Sequence, residues 1–246
     1  MTLPSLLPGC CFAALLAGAL GSGPALAARA VPALLPPAAE VPCAGSPKRH
    51  DSGQVEQCTL ARDYRSGDLT LPAGSLVTFT RTGVISEVFL AAPVVVSGQT
   101  LPPKATLFFD AAGRMRHFWL REESLIQGYR LRAMGKGYTG YLGHMLHANG
   151  KLRAAWLAGE EVIDGIPCAS KLPLLRGGWH AIRLGARAMA WFYEDGRLRQ
   201  AMLARDTIIQ GQAFRKGEVL SLRRDGTLDP TAQKLDWNGW GTFRDD

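Results

Sequence analysis

Hydrophobic and polar positions repeat around glycines along most of the chain, in units of about thirty residues. Each unit begins at a glycine, and a second glycine follows about fifteen residues later. The second, fifth and seventh residues after each opening glycine are apolar. Such similarity at a fixed period is typical of repeat proteins. The opening glycines are Gly53, Gly83, Gly113, Gly150 and Gly196, and the second glycines are Gly67, Gly98, Gly128, Gly165 and Gly211.

The first half of each repeat has the pattern of a β-strand. In the third repeat the apolar positions are Met115, Phe118 and Leu120. The fifth and seventh positions share one face of a strand, because side chains alternate between the two faces. The second position joins that face only if one extra residue is inserted before the fifth, which predicts a β-bulge.

The second half of each repeat contains an apolar residue, a bend with Pro or Gly, an alternating run and a polar turn, as in "GDLTLPAGSLVTFTRTG" at 67–83. Asp-Gly and Asn-Gly between alternating runs are strong hairpin signals, because both central positions of such turns need positive φ. The pattern therefore predicts an all-β fold, a repetitive antiparallel meander of about ten strands built from hairpin repeats, in an extended or curled sheet. Only the insertion at 170–190 leaves room for a helix.

The chain divides into four segments. Residues 1–30 form a predicted secretory signal peptide, since "CCFAALLAGAL" is too short to span a bilayer and "PALAARA" has small residues at the spacing of a cleavage site. Residues 31–52 are a Pro/Ala-rich linker with a partial half-repeat, 53–226 hold five hairpin repeats, and 227–246 form a capping tail. We therefore expect a periplasmic or secreted bacterial protein with no integral membrane segment after signal cleavage.

Three cysteines remain after the predicted cleavage: Cys43, Cys58 and Cys168. An odd number permits at most one internal disulfide in an oxidising compartment. Cys43 and Cys168 lie in the matching contexts "VPCA" and "IPCA", so they are expected at equivalent places in the repeat. The alternative is that all three fill small apolar positions in strands.

Four segments carry a resemblance to a known family: "AGRMRHFWL" at 112–120, "GKGYTGYLG" at 135–143, "NGKLRAAWL" at 149–157 and "DGRLRQAML" at 195–203. They resemble the MORN-type and MORN-variant bacterial hairpin repeats, in which short strands with recurrent glycine turns stack into a sheet. The resemblance implies a hairpin fold and a scaffold-like role. It implies no catalytic residues.

The motifs that would indicate an enzyme or a cofactor are weak. "GKGYTG" at 135–140 has the spacing of a dinucleotide loop, but no helical pattern follows it. His144 and His147 have H-x-x-H spacing without a recognisable third and fourth metal ligand. No G-x-S-x-G segment occurs, and no cysteine is paired locally with a histidine. We therefore predict a non-enzymatic protein without cofactor or metal.

Charge distinguishes one face of the predicted sheet. The chain has 28 Lys and Arg against 21 Asp and Glu, a net charge of +7, which favours anionic partners. Nucleic acid is less available to an exported protein. In three repeats the first and third residues after the glycine are basic, and the sixth is aromatic in two of these. The predicted binding residues are Arg114, Arg116, Trp119, Lys151, Arg153, Trp156, Arg197 and Arg199.

The Arg/Trp-lined face leads to a functional prediction: binding of an anionic envelope component or an acidic protein, in a scaffold role at the bacterial envelope. In the alternative interpretation, the two Trp residues belong to a second buried layer and the basic residues form a solvated rim. Two other functions stay open. One is an envelope glycan hydrolase that uses Glu122, Glu123, Glu160 or Glu161 at the repeated turns. The other is an antitoxin-like or immunity-like partner protein.

Overall fold

The computed structural model describes residues 41–133, 143–170 and 189–230, and every regular element in these ranges is a β-strand. In chain order the strands are β1 (Lys48–Arg49), β2 (Val55–Thr59), β3 (Tyr64–Ser66), β4 (Leu69–Leu71), β5 (Leu76–Phe79), β6 (Ile85–Phe89), β7 (Val94–Val96), β8 (Gln99–Leu101), β9 (Thr106–Phe109), β10 (Met115–Trp119), β11 (Ser124–Ile126), β12 (Tyr129–Leu131), β13 (His144–Leu146), β14 (Leu152–Ala155), β15 (Glu161–Ile163), β16 (Ile166–Ala169), β17 (Ala190–Phe192), β18 (Leu198–Leu203), β19 (Thr207–Ile209), β20 (Gln212–Phe214) and β21 (Val219–Ser221).

The main sheet is antiparallel and follows the chain. Strands β1, β2, β5, β6, β9, β10, β13, β14, β17, β18 and β21 are neighbours in that order. A short hairpin leaves the sheet after every second strand, as β3–β4, β7–β8, β11–β12, β15–β16 and β19–β20. The β15–β16 hairpin also pairs with β18, which makes 13 strands in the main sheet. This confirms the predicted all-β antiparallel meander.

The strands outnumber the predicted ten because each repeat contributes four of them. The second glycine of a repeat does not connect two strands of the main sheet. It lies at the tip of a separate short hairpin, with two strands of three or four residues. Such brief strands contain too few residues for their alternation to stand out in the sequence.

The opening glycines form the turns at one end of the main sheet. In the second repeat, the Thr80 amide donates to the Val84 carbonyl at 2.7 Å and the Gly83 amide donates to the Thr80 carbonyl at 2.9 Å. Gly83 has φ 80°, so this is a three-residue loop that ends with a left-handed residue. We call this end of the sheet the turn end.

The predicted bulge is confirmed in every repeat. In the third repeat Met115 pairs with Phe109 but His117 pairs with Phe108, so Arg116 is the extra residue. The same register shift occurs in β2, β6, β14 and β18. As a result, the second, fifth and seventh positions of all five repeats are buried on one face, which we call the inner face.

The short hairpins fold back over the inner face and form a second layer. Their apolar residues, including Leu71, Leu101 and Leu131, share one core with the inner face. In the third hairpin, the Gln127 side chain donates from Nε2 to the Gly150 carbonyl at 2.8 Å and accepts from the Leu152 amide at 2.9 Å. The hairpin tip therefore reaches the turn end of the next repeat.

Close packing at this contact explains why residue 150 is a glycine. Gly150 has φ 80°, and a Cβ atom there would lie 2.5 Å from the Ser97 Cβ at the tip of the second hairpin. A side chain at this position would therefore meet both backbone strain and a steric clash. The hairpin layer and the turns of the sheet constrain each other.

The cysteines occupy the expected places. Cys43 and Cys58 form a disulfide with a Cα–Cα distance of 5.6 Å, and Cys168 is a buried free thiol. Burial raises the pKa of Cys168 to about 12. Cys43 pairs with Leu60 as Cys168 pairs with Leu203, which confirms that the two cysteines are equivalent. The fold thus already includes residues from Val41 onwards.

Several sequence predictions lie outside the described residues. They are the signal peptide at 1–30, the start of the linker at 31–40, the "GKGYTG" loop at 135–140, most of the insertion at 170–190, and the tail from 231 onwards. Among the residues that the structure does describe, there is no helix of the length and apolarity that a membrane span requires.

Candidate functional site

The outer face of the main sheet carries one continuous row of paired residues. Each residue of the row is the cross-strand partner of the next, and each lies on the face opposite the core. The row is polar over β2 to β6, aromatic over β9 and β10, and apolar over β13 to β17. It consists of Gln57, Thr78, Glu87, Phe108, His117, Met145, Ala154, Trp191, Gln200 and Ser221.

The aromatic part of the outer face is half-buried. The Phe108 ring stacks on the His117 ring with centroids 4.3 Å apart, and it contacts Trp119 at 4.9 Å. Burial lowers the pKa of His117 to about 4, so this imidazole is neutral at neutral pH. Burial also raises the pKa of Glu87, the cross-strand partner of Phe108. The predicted site residue Trp119 thus belongs to an aromatic patch of low polarity.

Trp156 lies on the outer face, as the bulge predicts, but it is not exposed. Its side chain is 0% accessible, and it forms a second apolar cluster with Ala154, Met189 and Trp191. Trp119 packs against the edge of this cluster. Trp156 therefore belongs to a second buried layer, which was the alternative interpretation of the sequence. Trp119 lies at the boundary between this buried cluster and the accessible part of the outer face.

The six predicted basic residues lie at the turn end, in three successive turns, but their surroundings differ. Arg114 Nε is 3.1 Å from Asp110 Oδ2, and Arg116 Nε is 3.9 Å from the same oxygen. One carboxylate thus partly neutralises this first pair. Arg153 is half-buried at the bulge of the next repeat.

The remaining predicted cations meet in a basic cluster around Tyr193. Lys151 Nζ donates to the Asp195 carbonyl at 2.7 Å, and Arg197 Nη1 donates to the Arg224 carbonyl at 3.3 Å. The guanidinium groups of Arg199 and Arg224 lie 5.6 and 5.4 Å from the centroid of the Tyr193 ring. We use the name basic cluster for Lys151, Arg197, Arg199 and Arg224.

Tyr193 is oriented for this arrangement. Its hydroxyl donates to the Leu222 carbonyl at 2.8 Å, which fixes the ring between two turns of the sheet. Tyr193, Arg223 and Arg224 are not among the binding residues predicted from the sequence. A signal for the two arginines was present, because "RRDG" at 223–226 repeats the opening turn at Gly226. Nothing local identified Tyr193, Phe108 or His117, since their roles depend on strand register.

Three of the four candidate carboxylates connect neighbouring hairpins. Glu122 is 3.8 Å from Lys104, Glu160 is 3.2 Å from Arg205, and Glu161 is 3.6 Å from Arg130. Glu123 is exposed. Glu122, Glu160 and Glu161 are thus ion-pair partners of basic side chains from neighbouring repeats.

The two histidines with H-x-x-H spacing contact the backbone. His144 Nε2 lies 3.1 Å from the Arg132 carbonyl, and its Nδ1 accepts from the Trp156 amide at 3.3 Å. Burial lowers the pKa of His144 to about 4. His147 Nε2 lies 3.0 Å from the Phe192 carbonyl. Within the described ranges, no three His, Cys, Asp or Glu side chains are grouped as metal ligands would be.

No protein-family model, curated protein or solved structure matches the chain. The accessible outer face and the basic cluster are therefore the features from which a function can be inferred.

Proposed function

We propose that the protein is an exported, non-enzymatic repeat protein of the bacterial envelope that binds an anionic partner at the turn end of its main sheet. The observation that carries this proposal is the basic cluster. Successive turns bring its four cations together, and Lys151 and Arg197 are held there by neutral carbonyl oxygens.

The distribution of charge supports an anionic partner. Eight basic and four acidic side chains lie in the four turns at 110–116, 147–153, 193–199 and 223–227. The first two turns, at 50–56 and 80–86, have one basic and two acidic side chains. Positive potential is thus concentrated at the later turns of the turn end, where it attracts anions and orients their approach.

The local partners of Lys151, Arg197 and Arg224 leave the charge of these three side chains available. None of the ion pairs within the described part of the chain involves Lys151, Arg197 or Arg224. A hydrogen bond to a carbonyl positions a cation without cancelling its charge. An arginine with one such bond also keeps further N–H donors for a carboxylate or phosphate.

Export is supported by the disulfide and by the predicted signal peptide. Structural disulfides persist in oxidising compartments such as the periplasm and are rare in the reducing cytoplasm. The Cys43–Cys58 bond ties the first described segment to β2 at the edge of the repeat array. The resemblance to MORN-type repeats agrees with a scaffold-like role.

Hydrolysis of an envelope glycan is the weaker candidate. A glycosidase needs two carboxyl groups on either side of the scissile bond, with one of them available as an acid. Glu122, Glu160 and Glu161 instead pair with basic side chains of adjacent hairpins. This favours a structural role for these residues and a binding function for the protein.

The test is affinity capture from envelope extract of the producing organism, with the tagged full chain as bait and with proteins, lipids and glycans all identified. We expect an anionic component that is captured at low salt, released at high salt, and lost in the double variant Arg197→Ala/Arg224→Ala. The matched control is Arg62→Ala/Arg65→Ala, two exposed arginines of which the first precedes β3 and the second lies within it. Capture that survives both high salt and the double variant would overturn the proposal.

A second experiment tests directly whether the protein hydrolyses peptidoglycan. The purified protein is incubated with labelled peptidoglycan, and soluble fragments are measured. Release of fragments that Glu161→Gln abolishes would show that the protein is a hydrolase and would contradict the non-enzymatic role.

A further inference from the structure

We infer that the basic cluster binds a linear anionic polysaccharide that runs along the turn end of the sheet. The inference rests on the proposed function and names its ligand class. A polymer, a lipid surface and an acidic protein each require a different arrangement of basic and apolar side chains on the protein, so the arrangement seen here distinguishes between them.

The cations are arranged in a line. Successive turns are separated by two strands of the main sheet, so their cations recur at intervals of roughly 10 Å. Arg116, Arg153 and Arg199 occupy the same bulge position in three consecutive repeats. A single small anion could contact only one or two of these groups. In a linear polyuronate, which has a carboxylate on every sugar, every second carboxylate recurs at a comparable spacing, so one chain could contact several turns at once.

A polymer also gains from simultaneous contacts. When one charged group is bound, the next group is held near the following turn, which raises the effective concentration for the second contact. The hydrogen bonds of Lys151 to the Asp195 carbonyl and of Arg197 to the Arg224 carbonyl hold these side chains in place before binding. This reduces the entropic cost of forming the complex.

The surroundings of the cluster fit a polar polymer better than a lipid surface or a protein. Peripheral membrane proteins insert apolar side chains beside their basic residues, and protein interfaces centre on buried apolar anchors. None of the large apolar side chains that the described residues expose belongs to the four cationic turns, since they lie in β5 or in the short hairpins: Leu76, Val95, Leu125, Val162 and Ile208. The one aromatic ring in the cluster, Tyr193, lies close to Arg199 and Arg224 and is anchored through its hydroxyl.

The experiment measures binding of the full chain to four probes by calorimetry at low and high salt. The probes are linear polygalacturonate fragments of increasing length, a neutral glucan of matched length, vesicles with anionic phospholipid, and inorganic phosphate. We expect polygalacturonate to bind at least about tenfold more tightly as the fragment grows from a disaccharide to one that spans three turns. We expect the neutral glucan not to bind.

The variants locate the site. Arg197→Ala/Arg224→Ala is expected to weaken polymer binding at least tenfold, and Arg62→Ala/Arg65→Ala to leave it unchanged. The milder Lys151→Gln variant is expected to weaken binding by a smaller factor and serves if the double variant does not fold. Circular dichroism verifies the fold of each variant.

Three outcomes would overturn the inference: affinity independent of fragment length, tighter binding to vesicles than to polygalacturonate, or unchanged polymer binding in Lys151→Gln and the double variant. Salt-sensitive capture that depends on Arg197 and Arg224, together with failure of polygalacturonate to bind, would remove this inference and leave the proposed function intact. Failure of capture as well would remove both.

Discussion

The inner and outer faces of the main sheet are built from the same strands, yet only the inner face repeats. On the inner face, the second, fifth and seventh positions are buried in all five repeats. On the outer face, the fourth position is Gln57, Glu87, His117, Ala154 and Gln200 in successive repeats. The difference follows from what covers each face. Every repeat places an equivalent hairpin over the inner face, so every repeat must present a similar apolar surface there.

Within residues 41–133, 143–170 and 189–230, no repeated element covers the outer face, and the character of this face changes along the sheet. It begins polar, becomes aromatic at β9 and β10, and is apolar and buried at Trp156 and Trp191. In this protein the repeat builds the scaffold, and the departures from the repeat supply the distinctive chemistry. The basic cluster follows the same rule, because it is confined to the later turns.

The largest effect is expected from Trp156, where the outer face behaves like a core. Trp156→Ala should lower the free energy of unfolding by about 3–5 kcal/mol, because it removes a large, fully buried side chain. Trp119→Ala should cost less, since this side chain is only half-buried. Urea unfolding of both variants measures the difference. Equal losses would show that the outer face does not divide into buried and accessible parts.

The inner face can be compared with the outer face by the same substitution at two positions. Leu120→Ala removes a fully buried inner side chain and should cost about 2–5 kcal/mol. Leu76→Ala affects an outer side chain that is 37% exposed and should cost about 1 kcal/mol or less. Urea unfolding again provides the measurement. A loss at Leu76 as large as that at Leu120 would contradict the assignment of the faces.

The disulfide reinforces the inner face at its first repeat, where Cys58 occupies the fifth position. Replacement of both Cys43 and Cys58 by Ala should lower the free energy of unfolding by about 3 kcal/mol, the value expected for a loop of this length. Cys168→Ala, at the equivalent place without a disulfide, is the control and should cost less. A loss no greater than that of the control would show that the bond contributes little.

A pH dependence of stability is also expected, and it involves one histidine on each face. Burial lowers the pKa of both His117 and His144 to about 4, below the unfolded value near 6.5. Between pH 6.5 and 4 the unfolded chain therefore binds more protons than the folded chain. Stability should fall as the pH decreases through this window, by at most roughly 1.4 kcal/mol per pH unit for each histidine.

The variant His117→Gln separates the two contributions. It should remove part of the pH dependence of unfolding, and His144 should account for the remainder. Chemical unfolding at pH 7, 5.5 and 4.5 supplies the comparison. An unchanged pH dependence in the variant would show that His117 titrates normally in the fold.

Much of the inner face could be predicted from the sequence. The apolar spacing at Met115, Phe118 and Leu120 identified both the buried row and the bulge at Arg116. The turns were also predictable, because their signal, a glycine with positive φ next to a polar residue, lies in adjacent positions of the sequence. The short hairpins were harder to predict from the sequence, because strands of three residues show almost no periodic alternation.

The candidate site was predictable only in part. The basic residues at the first and third positions were identified from their spacing, and the bulge placed Trp119 and Trp156 on the outer face. Their burial could not be predicted, because it depends on what packs against that face. The cluster around Tyr193 likewise required the pairing of β18 with β21, which brings Arg197 beside Arg224.

The sequence by itself determined the strand class, the repeat, the inner row and the positions of the turns, because each depends on residues a few positions apart. The tertiary structure alone decided that the hairpins cover the inner face, that Trp156 is buried and that cations from separate repeats form one cluster. These features depend on register and packing between residues that are tens of positions apart in the chain, and local patterns do not specify such contacts.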